Sequence, residues 1–257
     1  MMDSHMLILL GFLGLAIGFV GGLVGLVLGV VRFPLILSAD ISAGITAGTN
    51  IGVSTMGALA AAVRHYRQNN VHLRIFVTMA STGAGGAFLG SLVTRFVSVN
   101  LLLVTIGVIV SYEAYSLILG SKKKVVRGEI NERKSVVFES LVGFGIGFLG
   151  GLVGLVLGSI RMPAMISVLK MEPRVAVGTN LAAASVMGFF GLLGHVINGE
   201  VDYLTMAVMG SMAMVGGVAG ARFTGRFSAE KLKMLIGFIL VIVAISMFLR
   251  AIWVNVL

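Results

Sequence analysis

The 257-residue chain has no cysteine, which excludes disulfides and thiolate metal sites. Charge is scarce as well: 11% of residues are Asp, Glu, Lys or Arg, against roughly a quarter in a soluble domain that must cover its surface. No P-loop, HExxH or strand-embedded GxSxG occurs, so ATP-driven transport and the common hydrolytic mechanisms have no support, and neither a metal nor a cofactor is expected. The opening stretch MMDSHMLILLGFLG lacks the basic run and small-residue cleavage site of a signal peptide, so the apolar residues after it are expected to be retained.

What fills the chain is apolar, 58% of it, with a mean hydropathy of +1.06. Eight apolar segments can be drawn, at 6–31, 42–63, 73–96, 99–119, 135–160, 174–197, 203–225 and 231–255, each near the ~20 residues that cross a bilayer. The formal net charge of +9 sits in the connections between them, where membrane topology places Lys and Arg, so nucleic acid is not an expected partner. An all-α, multi-pass protein of the cell membrane follows. Residues 1–120 and 135–257 hold four segments each, and the basic stretch 121–134 between them reads as a cytoplasmic linker.

The two groups are copies of one unit. GGLVGLVLG stands at Gly21–Gly29 and again at Gly150–Gly158, and the same register pairs Arg32 with Arg161 and Pro34 with Pro163. One residue further out of register, Gly48-Thr49-Asn50 pairs with Gly178-Thr179-Asn180 and His65 with His195. Loop charge reverses between the copies. The connection after the second segment carries Arg64, Arg67 and Arg74 in the first copy but Glu200 and Asp202 in the second. If basic connections face the cytoplasm, the halves are inverted pseudo-symmetric repeats, and each crosses the membrane an odd number of times despite its four segments. A first segment that dips in and returns resolves the tension, with Gly21-Gly22 and Gly150-Gly151 as hairpin tips. Two uses of these glycines stay open: a break in an intramembrane segment, or close packing of unbroken helices.

Arg32 and Arg161 each follow a glycine-rich run and precede a proline by two. An arginine at bilayer depth costs from ~3 to over 10 kcal/mol, so it faces a cavity, a partner or a ligand unless it snorkels to the interface. A guanidinium matches small oxyanions and carboxylates. Around this pair the expected substrate contacts are Thr49, Asn50, Thr179 and Asn180, read as lying near helix N-termini, together with Gly29 and Gly158. His65, His195 and Glu113 are candidates for proton coupling, although interfacial histidines more often cap or stay solvated, and Glu113 is expected to meet the basic linker.

The order GGLVGLVLGVVRFP, AGTN, GGAFLG in the first half and GGLVGLVLGSIRMP, VGTN, GGVAGA in the second resembles the TauE/SafE family of sulfite and organosulfur anion exporters across nearly the whole chain. The family usually has a run of glycines where this chain has Leu28-Gly29 and Leu157-Gly158, and arginine before the proline departs from its pattern. That resemblance implies non-ATP export of a small sulfur oxyanion or sulfonate, and the two pseudo-symmetric halves suggest alternating access by movement of one against the other. The residues themselves imply a small anionic substrate held near the midplane between the paired broken segments, in a bilayer-embedded protein that is a candidate homo-oligomer. An anion channel or an anion importer is the alternative.

Overall fold

The computed structural model describes residues 4–24, 26–39, 41–119, 132–223 and 229–254. The linker expected at 121–134 lies outside these residues, apart from the backbone of the turn that opens the sixth helix. Every regular element among the described residues is helical: α1 Ser4–Val24, α2 Gly29–Leu37, α3 Ala43–Arg67, α4 Leu73–Val93, α5 Val99–Leu119, α6 Glu132–Val153, α7 Gly158–Pro163, α8 Pro173–Ile197, α9 Tyr203–Arg222 and α10 Ala229–Val254.

The long helices start where local chemistry directs them. Ser42 caps α3 through Ile45 N–H, Asp202 caps α9 through Leu204 and Thr205 N–H, and Pro173 opens α8, where its missing N–H costs nothing. Among the described residues six helices are long and apolar enough to cross a membrane. α3 is not among them. Its inward face carries Thr46, Thr49, Asn50, Ser54 and Thr55, all buried, so polarity here marks the interior. The outward faces are apolar instead, with Phe12, Leu141 and Ile242 exposed by 70%, 69% and 68%. Such an inside-out distribution suits a lipid solvent, and the chain is an all-α, multi-pass membrane protein.

Packing interleaves the halves. α1 of the first half lies along α9 of the second, with Gly14, Gly18 and Gly22 against Met209, Ala213 and Gly217. α6 lies along α4 in the same way, with Gly143, Gly147 and Gly151 against Met79, Gly83 and Ala87. A Cβ at any of these glycines would overlap backbone of the facing helix, which is how small residues at every fourth position bring membrane helices together without a hydrophobic driving force. In both pairs the residue numbers rise together. Between α3 and α8 they run oppositely: Gly48 faces His195, Gly52 faces Leu192, and Thr55 faces Gly188. α5 and α10 are antiparallel too, Gly107 meeting Phe248 and Gly237 meeting Ile118.

Candidate anion site at two helix elbows

α6 stops at a glycine cap. Gly154 takes φ +69°, in the left-handed region, and Leu155 N–H reaches back to the Gly150 carbonyl over 2.8 Å. Leu26 N–H makes the matching bond to the Gly21 carbonyl over 3.1 Å. The breaks lie about one turn later in the chain than the hairpin tips expected at Gly21-Gly22 and Gly150-Gly151. Those four glycines sit inside the last turns of α1 and α6, where Gly22 and Gly151 serve the helix contacts just described. Breaking and packing both occur, at different glycines of the same nonamer. Past each elbow a short helix begins with no side-chain cap, Leu28 and Leu157 occupying the cap positions. α2, at nine residues, is about 13 Å long, less than half a hydrocarbon core.

The arginines stand on these short helices, and both are buried, Arg32 at 3% and Arg161 at 1% exposure. Snorkelling is excluded. Arg32 Nε donates to Asn50 Oδ1 (3.4 Å) and Nη2 to Ser54 Oγ (2.6 Å). Arg161 Nε donates to Asn180 Oδ1 (3.0 Å), Nη2 to the Asn180 carbonyl (3.5 Å), and Nη1 meets Met187 Sδ. Among the described residues neither guanidinium has a carboxylate partner. An uncompensated buried charge costs several kcal/mol, which a bound anion would offset.

Each letter of the GTN motif has a separate task. The motif lies about two turns inside α3 and α8, not at their N-termini, so the expected role as an end-of-helix donor cluster is replaced by side-chain contacts. Gly48 lets the Glu200 carbonyl approach, and Gly178 does the same for Asn70. Thr49 Oγ1 accepts from Asp202 N–H and Thr179 Oγ1 from His72 N–H, both at 2.9 Å, so each hydroxyl locks the connection of the opposite half. Asn50 faces the elbows: its Oδ1 holds Arg32 while its Nδ2 donates to the Gly154 carbonyl (2.9 Å) of the other half. Gly29 and Gly158 are close against Asn50 and Asn180, where a Cβ would crowd the amide.

Glu113 is buried and accepts a hydrogen bond from Ser159 Oγ, while the linker it is expected to meet lies outside the described residues. Ser159 and Arg161 are two residues apart, about 200° around α7, so acid and guanidinium lie on opposite sides of one short helix. His195 is fully buried between Glu200 and the Gly151 carbonyl, and His65 is buried with no hydrogen-bond partner at either ring nitrogen. Neither histidine is a solvated cap. Ser54, Met187, Ser159 and Glu200 did not emerge as candidates from the sequence. Helical spacing does point to two of them, since Ser54 follows Asn50 by four residues and Met187 follows Asn180 by seven.

The arginines line two crevices instead of one shared pocket. The first, ≈290 Å³, lies between the elbow residues Leu26–Leu28, Arg32, Ser54 and Gly217. The second, ≈200 Å³, lies between Leu155–Leu157, Arg161, Met187 and Ala87. The linings correspond residue for residue at the elbows, the arginines and the α9/α4 contact points.

A multi-pass helical protein with broken segments that carry buried arginines has features that membrane transporters use. The family described as "Sulfite exporter TauE/SafE" matches residues 10–247, and the chain belongs to that family of membrane transporters. It is similar to the probable membrane transporter protein YunE of Bacillus subtilis (strain 168), 25% identical over 232 residues, covering 84% of this chain and 85% of the relative. YdhB of the same organism, likewise a probable membrane transporter protein, is 26% identical over 226 residues, 86% and 90% of the two chains. A probable membrane transporter protein of Xylella fastidiosa (strain 9a5c) is 26% identical over 215 residues, 82% of each. No solved structure matches the chain.

Proposed function

We propose that this transporter exports a small anion, sulfite or an organosulfonate, by alternating access of two inverted halves, with Arg32 and Arg161 as the groups that hold the anion's charge. The observation that carries this reading is the pair of buried guanidiniums without carboxylate partners, each beside a crevice at a helix elbow. Asn50, Asn180 and Ser54 orient the guanidiniums and offer further polar contacts, while Gly29 and Gly158 keep the approach open. Thr49 and Thr179 act one step back, holding the helices that bear the asparagines. The antiparallel courses of α3 against α8 and α5 against α10 support inversion of the halves, and short α2 and α7 support re-entrant hairpins.

Export fits the energetics. A negative-inside membrane favours anion exit by ~2.3 kcal/mol per charge per 100 mV, so no ATP is needed. The test is counterflow of radiolabelled sulfite and sulfoacetate in proteoliposomes. Saturable exchange that Arg32→Gln removes is the expected result. Conductance far above carrier rates identifies a channel instead, and transport unchanged in both arginine variants overturns the site.

A further inference from the structure

We propose that His195 and Glu200 form a proton site that couples to transport by controlling the second elbow. His195 Nδ1 lies 2.8 Å from Glu200 Oε2, and Nε2 lies 2.9 Å from the Gly151 carbonyl. A carbonyl only accepts, so Nε2 carries a hydrogen. A neutral imidazole then has none left for Nδ1, and an ionised carboxylate has none to offer it. The 2.8 Å contact thus requires one more proton, on Nδ1 or on the carboxyl. Asn198 Nδ2, fixed as a donor by the Ser91 carbonyl at 2.9 Å, also donates to Glu200 Oε2. The pair therefore holds one proton beyond those of neutral histidine and carboxylate.

That proton has a route and a consequence. The Glu200 side chain is 13% exposed and the His195 side chain 0%, so Glu200 takes a proton from water and shares it with the buried ring. When it leaves, the single remaining N–H serves either Glu200 or Gly151, and the other acceptor faces a lone pair. Gly151 stands in the last turn of α6, within the bonds that form the elbow ahead of Arg161. Deprotonation loosens the tie between α8 and that elbow. The elements packed around the ring contribute Gly48 from α3, Ser91 from α4 and Gly151 from α6, none titratable, and the Asp202 carboxylate is turned to Leu204 and Thr205 N–H. In the first half Asn70 stands where Glu200 does, and neither nitrogen of His65 is bonded. The proton site exists on one side only.

The coupling rests on the carrier reading, whereas the gating of the elbow does not, and the experiment separates them. Because the protein has no cysteine, Val156→Cys in the second elbow and Val27→Cys in the first each supply a single thiol. The ratio of their maleimide labelling rates cancels most of the thiol's own titration. It is expected to rise roughly tenfold as the pH is raised, and to be flat in His195→Gln and Glu200→Gln backgrounds. In proteoliposomes with clamped potential, thiosulfate counterflow is expected to depend on pH in the wild type and to lose that dependence in both variants. A ratio that stays flat in the wild type, or responds equally in both variants, overturns the proposal. So does thiosulfate flux without pH dependence. A responsive ratio with no flux of any tested anion keeps the proton site and removes the carrier reading.

Discussion

The two halves share a skeleton and differ in their charges. Each has an elbow, a buried arginine held by asparagine, and a threonine that locks the opposite connection. Around the second arginine the protein adds Glu113 behind α7, through Ser159, and a histidine bonded to Glu200. The equivalents around the first arginine are Val243, Val30 and the pair His65 and Asn70, and among the described residues no carboxylate pairs with Arg32. In an inverted-repeat carrier the two access states arise when the halves exchange conformations, and identical halves would make those states equal in energy. In such a carrier substitutions of this kind make the two states unequal, and the ranking we propose is that Arg32, with protein partners at two guanidinium nitrogens against three for Arg161, holds the anion more strongly.

The largest expected effect tests this ranking. Arg32→Gln removes a charge-assisted contact to the anion, worth ~1.5–3 kcal/mol, and is expected to lower sulfite counterflow by up to about 100-fold. Arg161→Gln, whose guanidinium already meets protein groups at all three nitrogens, is expected to cost about tenfold. Equal losses in the two variants would show that the substitutions around the arginines do not matter to anion binding.

A second comparison lies within α6. Gly154→Ala places a side chain at φ +69° and against the backbone of Ala47, and is expected to destabilise by about 3 kcal/mol in a thermal melt. Gly145→Ala, on the same helix with nothing within 4 Å of the new Cβ, is expected to stabilise by ~0.5–1 kcal/mol. Comparable losses at both positions would remove the distinction between elbow and helix body.

Much of this architecture was legible in the repeat. The duplicated nonamer and the reversal of loop charge between Arg64–Arg67 and Glu200–Asp202 pointed to broken segments and opposite halves before any helix was placed. The position of the break was not legible, because Gly150, Gly151, Gly154 and Gly158 are all glycines and only packing decides that Gly154 turns the chain. Nor was the division of labour in Gly48-Thr49-Asn50, since the partners Glu200, Asp202 and Gly154 come from the other half. A repeat shows which residues matter twice. Ser54, Met187 and Glu200 lie where the copies disagree, and the search for symmetry passes over them.

If the skeleton is shared, breaking it on either side should cost the same. Thr49→Val and Thr179→Val each delete one acceptor at 2.9 Å from a backbone N–H of the opposite connection. Each is expected to lower stability by ~1 kcal/mol, read as a drop of a few degrees in melting temperature, with anion affinity unchanged. A clear inequality between the two would place the asymmetry in the scaffold as well as in the charges.

The smallest effect belongs to Glu113, and it sharpens the comparison most directly. The double change Glu113→Val with Ser159→Val gives the surroundings of the second elbow the residues that stand at the equivalent places around the first, Val243 and Val30. Both partners leave together, so no buried polar group is stranded. The tie between α5 and the short helix that carries Arg161 is then lost, and the second crevice is expected to bind sulfite about threefold more weakly, ~0.7 kcal/mol. Titration calorimetry in an Arg32→Gln background isolates that crevice. Affinity that rises instead would mean that the carboxyl acts on the anion through its charge and not through the position of α7.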